Sequence, residues 1–110
     1  MIKCARCGEK LPGLGVLNGM VCSDMDDTGK MVELIVCYVN GCRDAVLDGL
    51  VLHPRSSGCV VCGGRLTVRG VSEALLTTDL HPNGSGLSRS LAFCHANGHR
   101  DQLLGRITTI

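Results

Sequence analysis

Apolar and polar side chains alternate from Leu87 to Cys94: Leu87, Arg89, Leu91 and Phe93 fall on one side, Ser88, Ser90, Ala92 and Cys94 on the other. That period of two predicts a strand with one mainly apolar face and one face of small residues. Met31 to Val39 is rich in β-branched residues and predicts another strand, which delivers Cys37 near its end. Leu14 to Val21 is apolar and glycine-spaced, consistent with a short strand, and Leu66 to Val71 predicts a further one before a variable stretch to Leu80. Polar turns are expected at Ser23 to Lys30 and at His81 to Gly86. Arg43 to Leu52, with Val46, Leu47, Leu50, Val51 and Leu52, reads either as a short helical turn or as a closing strand that packs back on its neighbours.

This layout occurs twice. Cys37-Tyr38-Val39-Asn40-Gly41-Cys42-Arg43-Asp44 returns as Cys94-His95-Ala96-Asn97-Gly98-His99-Arg100-Asp101. Cys4-Ala5-Arg6-Cys7-Gly8 returns as Cys59-Val60-Val61-Cys62-Gly63. One ligand-type position changes, from Cys42 to His99. Those two side chains replace each other on zinc, whereas a disulfide does not survive the exchange. A Cys-x-x-Cys turn aims both thiolates at one point, and the glycine after it supplies the backbone freedom of such a knuckle. Twenty-nine residues separate Cys7 from Cys37, and thirty-one separate Cys62 from Cys94. Two four-ligand sites follow: Cys4, Cys7, Cys37 and Cys42, then Cys59, Cys62, Cys94 and His99.

Composition explains why metal is needed. The 110 residues divide into modules at 1–52 and 59–110, joined by linker chemistry at 53–58. Each module is small enough that its core is marginal, and Tyr38 and Phe93 are the only aromatics. Structural zinc at about 10–16 kcal/mol per ion would supply the missing stability. The expected class is a small, zinc-stabilised β-rich fold: two tandem zinc-ribbon-like modules of antiparallel hairpins and knuckles, holding two Zn²⁺. Met1-Ile2-Lys3 leads straight into the first knuckle without an apolar signal segment, and no apolar run is long enough to span a bilayer. A reducing, cytoplasmic setting is therefore expected, or a virion for a phage protein. If the modules are independent, Cys37→Ser should empty the first site and leave the second loaded.

Within the ribbon class, several features resemble the Ogr/Delta-type phage late-transcription activators. They are the Cys-x2-Cys then Cys-x4-Cys order starting at Cys4, the Asn inside the second knuckle, and the segment Met25-Asp26-Asp27-Thr28-Gly29-Lys30. Delta-like members also carry two modules in tandem. The resemblance implies a regulator that binds DNA or RNA polymerase.

The other side chains narrow the chemistry. Neither Cys-x-x-Cys lies in a βαβ setting suited to redox work, and neither is followed by the histidine of a haem site. Four-ligand thiolate sites are closed and acidify water poorly, so no enzyme and no small-molecule substrate are expected. His95 aligns with Tyr38 and should point away from the metal, leaving His99 as the ligand. His53 and His81 precede prolines in loops. Cys22 has no counterpart and reads as a small buried apolar residue. Asn40 and Asn97 are assigned to holding their turns, and Asp44 and Asp101 to capping or to accepting from backbone amides.

Net charge is +1, and the sparse aromatics offer little for base stacking. A protein partner is therefore preferred to nucleic acid, with the chain as a non-enzymatic adaptor or structural component. A nucleic-acid contact would fall on the second module, where five arginines face three acids: Arg65, Arg69, Arg89, Arg100 and Arg106.

Overall fold

The computed structural model describes residues 2–26, 28–50, 58–66, 73–80 and 85–108. Two short strands, β1 (Ile2–Lys3) and β2 (Lys10–Leu11), pair antiparallel around the turn that carries Cys4 and Cys7. β3 (Gly19–Met25) and β4 (Met31–Cys37) then form a hairpin, from Gly19 opposite Cys37 to Met25 opposite Met31. Helix α1 (Cys42–Leu47) follows. The second half repeats the plan with β5 (Ala74–Leu80), β6 (Ser88–Cys94) and α2 (His99–Thr108).

The strand boundaries differ from the pattern-based expectation for local reasons. Residues 14–18 are turn, not strand, because the Asn18 amide donates to the Gly13 carbonyl at 2.9 Å and the Asn18 N–H to Gly15 at 3.0 Å. β3 instead runs through Ser23, Asp24 and Met25, at the start of the expected polar turn. The turn proper begins at Asp26, whose Oδ1 accepts from the Thr28 hydroxyl at 2.6 Å and from the Thr28 and Lys30 N–H groups at 2.9 Å. β4 stops at Cys37 rather than Val39. Of the two readings of 43–52, the helix is the one formed, over Cys42–Leu47; Val51 and Leu52 lie outside the described residues. Leu66 is not in a strand, and the rest of the strand expected to Val71 lies outside the described residues, as do 81–84. The stretch set aside as variable holds β5, and β6 begins at Ser88.

The two halves join in one sheet. Its order is β4-β3-β5-β6, with the equivalent strands β3 and β5 side by side and antiparallel. Cys22 faces Thr77, flanked by Val21 facing Thr78 and Ser23 facing Leu76. The strand sequences align as Gly19-Met20-Val21-Cys22-Ser23-Asp24-Met25 on Ala74-Leu75-Leu76-Thr77-Thr78-Asp79-Leu80. The Cys22–Thr77 pair therefore sits on an approximate twofold axis.

Both helices cover the same side of this sheet. Met20, Cys22, Val36, Val46, Leu75, Phe93, Leu103 and Ile107 belong to a single buried cluster that draws on both halves. The modules expected to be separate thus share a sheet and a core, and the linker expected at 53–58 lies outside the described residues except for Gly58. No helix among the described residues is long and apolar enough to cross a membrane.

Candidate metal centres

Each site is assembled from three pieces of chain. In the first, the turn between β1 and β2 supplies Cys4 and Cys7, the end of β4 supplies Cys37, and the first residue of α1 supplies Cys42. In the second, the turn at 59–64 supplies Cys59 and Cys62, β6 ends on Cys94, and α2 begins with His99. The knuckles need left-handed glycines: Gly8 and Gly63 have φ of 78° and 71°, and Gly41 and Gly98 have 70° and 74°. A side chain with a Cβ would be strained at these positions. The first knuckles are pinned to the edge strands by Ala5 N–H to Ile35 O and Val60 N–H to Ala92 O, both 2.8 Å.

All eight expected ligands come together, with the donor atoms of each group within 4.8 Å of one another. Cys7 Sγ lies 3.7 Å from Cys37 Sγ, and Cys62 Sγ 3.8 Å from Cys94 Sγ. A tetrahedron with metal–sulfur arms of about 2.3 Å has sulfur–sulfur edges of about 3.8 Å, so these spacings fit an ion and are too long for disulfides. His99 presents Nδ1, at 3.4 Å from Cys59 Sγ and 3.3 Å from Cys94 Sγ. His95 points away, as expected, with Nε2 3.5 Å from Asp24 Oδ1. The cysteines are all free thiols. Each group can hold one metal ion, giving two per chain.

Hydrogen bonds around the sulfurs repeat between the sites. Backbone N–H groups of Cys37 and Cys94 donate to Cys4 and Cys59 sulfurs at 3.3 and 3.4 Å. The recurring asparagines do more than shape turns: Asn40 donates to Cys7 Sγ and Asn97 to Cys62 Sγ, each at 3.4 Å. These amides are the largest cause of thiol pKa values lowered to about 6 at Cys7 and Cys62. Burial acts the other way at Cys42, pushing its thiol up to about 12. Donors aimed at thiolates fix ligand direction and stabilise the charged form that binds metal.

The recurring Arg-Asp pair has a role that the sequence did not disclose. Arg43 Nε donates to Asp79 Oδ2 at 2.7 Å and its Nη2 to the Leu80 carbonyl at 2.8 Å. Arg100 mirrors it, with Nη2 donating to Asp24 Oδ2 at 2.7 Å and to the Met25 carbonyl at 3.3 Å. Each arginine also holds the aspartate that follows it, Asp44 or Asp101. Asp24 and Asp101 raise the Arg100 pKa above its ordinary range. Asp24 and Asp79 occupy one register position in the equivalent strands. That correspondence shows only when β3 is aligned with β5, outside the knuckle segments in which the repeat is plain.

The arginines considered for a nucleic-acid contact fare unequally. Arg89 donates to Asp79 Oδ1 at 2.9 Å, Arg100 is held as described, and Arg106 donates to the carbonyls of Val46 and Asp48. Arg65 is exposed, and Arg69 lies outside the described residues. Cys22 is fully buried, and burial followed by Asp79 and Asp24 pushes its thiol up to about 12. His53 and His81 lie outside the described residues.

No protein-family model, curated protein or solved structure matches the chain.

Proposed function

We propose that this chain is a non-enzymatic zinc protein, in which two structural Zn²⁺ ions hold a rigid surface for a protein partner, in a phage or transcription assembly. The closed character of both sites is the observation that carries this reading. Each offers four protein ligands at tetrahedral spacing, seven of the eight being thiols, with backbone and asparagine N–H groups aimed at sulfur. Such ligand sets suit zinc and leave no coordination position for a substrate. Eight free thiols fit a reducing compartment.

A protein partner is favoured over nucleic acid because Arg43, Arg89, Arg100 and Arg106 already hold acceptors within the fold. Phosphate binding draws on cations that are available to it. Apolar side chains, by contrast, are available: Leu17 and Val39 are 81% and 72% exposed and border a cleft whose lining also includes Glu9, Lys10 and Asn18. Metal analysis of protein purified without chelator should return two zinc ions per chain. Fluorescence anisotropy with duplex DNA should show no measurable affinity at physiological salt. Submicromolar, sequence-selective binding would favour the DNA-binding regulator instead.

A further inference from the structure

The loops that complete each metal site are fastened to the opposite half of the chain. In the first site, the loop from Cys37 to Cys42 is gripped at both ends by the last two residues of β5. Tyr38, next to one ligand, accepts a hydrogen bond on its hydroxyl from the Leu80 N–H at 3.1 Å. Arg43, next to the other ligand, holds the Asp79 carboxylate and the Leu80 carbonyl, and its guanidinium lies 5.5 Å over the Tyr38 ring. In the second site the arginine grip repeats: Arg100 holds the Asp24 carboxylate and the Met25 carbonyl, the last two residues of β3. His95, in the place of Tyr38, stands 3.5 Å from Asp24 Oδ1 without a hydrogen bond to it.

The first loop is also held by the Tyr38 N–H donating to the Asn18 carbonyl at 3.4 Å and by Arg6 Nη1 at 3.7 Å from Cys42 Sγ. Helix α1 is six residues long, with Gly41 at its N-cap and no side-chain cap. Helices this short have marginal stability alone. The same loop carries Asn40, whose amide reaches Cys7, so its position sets three of the contacts at that site. Asp79 is fully buried and Asp24 nearly so, which strengthens their charge-assisted bonds.

We propose that Asp79 and Asp24 are positioning residues, each for the metal site in the opposite half, and that together they form a crossed clamp between the halves. This inference rests on the metal-binding reading above. Its signature is directional. An aspartate that merely stabilised its own hairpin would affect the site in its own half.

The test uses Co²⁺ titration of the full-length chain, because a four-sulfur site and a three-sulfur, one-nitrogen site give different cobalt spectra. Asp79→Asn keeps size and an acceptor but removes the charge. It should weaken the Cys4/Cys7/Cys37/Cys42 site roughly 10–100-fold and the other site by a clearly smaller factor. Asp24→Asn should do the reverse, weakening the site that contains His99. Equal weakening of both sites, weakening of the site in the same half, or no change would overturn the proposal. Loss of all cobalt binding in both variants would also overturn it, since the aspartates would then be general fold determinants. Failure of the unmodified chain to bind Co²⁺ is a different result: it would reject the metal reading itself.

Discussion

The two halves place the same parts at the same positions, yet fasten them differently around Asp79 and Asp24. Both Asp79 oxygens are occupied, Oδ2 by Arg43 from the other half and Oδ1 by Arg89 from the adjoining strand. Asp24 gives Oδ2 to Arg100, but its Oδ1 has no hydrogen-bond partner among the described residues, and His95 Nε2 stands 3.5 Å away. The cause is one position: β4 carries Val32 opposite Asp24 where β6 carries Arg89 opposite Asp79. Elsewhere, Val36 stands where the second half has Phe93, and α1 has six residues against ten in α2. Three of the four ligands, the sulfur-bound asparagines and the crossed arginines are the same in kind. Apart from Cys42 against His99 and Tyr38 against His95, groups that touch a metal site or cross between halves are thus repeated, while groups that pack within one half vary.

The largest expected effect concerns whether the halves are separable at all. Because β3 pairs with β5 and a single buried cluster spans both halves, chelation should unfold the zinc-loaded chain in one transition. Far-UV circular dichroism followed against residual zinc would show it. Cys37→Ser should accordingly cost the second site its metal as well as the first, in contrast to the behaviour expected of independent modules. Two well-separated unfolding steps, or a fully loaded second site in Cys37→Ser, would restore the picture of autonomous units.

How much of this was legible depends on how local each signal is. Ligand identity was readable because cysteine spacing and the Cys42/His99 exchange are properties of short segments. The hairpin partners β4 and β6 announced themselves through β-branched content and alternation. Asp24 lies in a polar run that reads as a turn, and its place in a strand is explained by Arg100, 76 positions away. β5 is likewise hidden in the pattern. Its sequence, Ala74-Leu75-Leu76-Thr77-Thr78-Asp79-Leu80, has no uninterrupted alternation, because the sheet face under the helices includes the polar Thr77 and Asp79. Antiparallel pairing of two equivalent strands leaves no mark in either strand alone, so the shared sheet was not visible from periodicity.

A middle-sized effect compares the cores of the two halves. Phe93 is fully buried, and Phe93→Ala should destabilise the chain by about 3–5 kcal/mol through lost transfer energy and a residual cavity. Its equivalent, Val36, is equally buried but smaller. Val36→Ala removes two methylene-sized groups at about 0.8 kcal/mol each, so a loss of about 1.5 kcal/mol is expected, plus any cavity cost. Denaturant midpoints of the zinc-loaded variants would measure the ratio. Equal losses would mean that the second half does not carry the larger share of the core.

The smallest expected effect lies at the axis itself, where one half has a thiol and the other a hydroxyl and a methyl. Cys22 and Thr77 face each other across β3 and β5, and both are fully buried. Thr77 Oγ1 has no hydrogen-bond partner among the described residues. A buried hydroxyl without a partner costs about 1–3 kcal/mol, whereas a thiol tolerates apolar surroundings. Thr77→Val keeps the β-branched shape and its fit to the strand while removing that hydroxyl. It should therefore stabilise the chain by about 1 kcal/mol, read as a rise of several degrees in the thermal midpoint of the zinc-loaded protein. Cys22→Ser is the opposite change, adding a second buried hydroxyl at the same spot, and should lower the midpoint. If Thr77→Val lowers it instead, the hydroxyl has a partner in solution, and the axis is a polar contact between the halves rather than an apolar one.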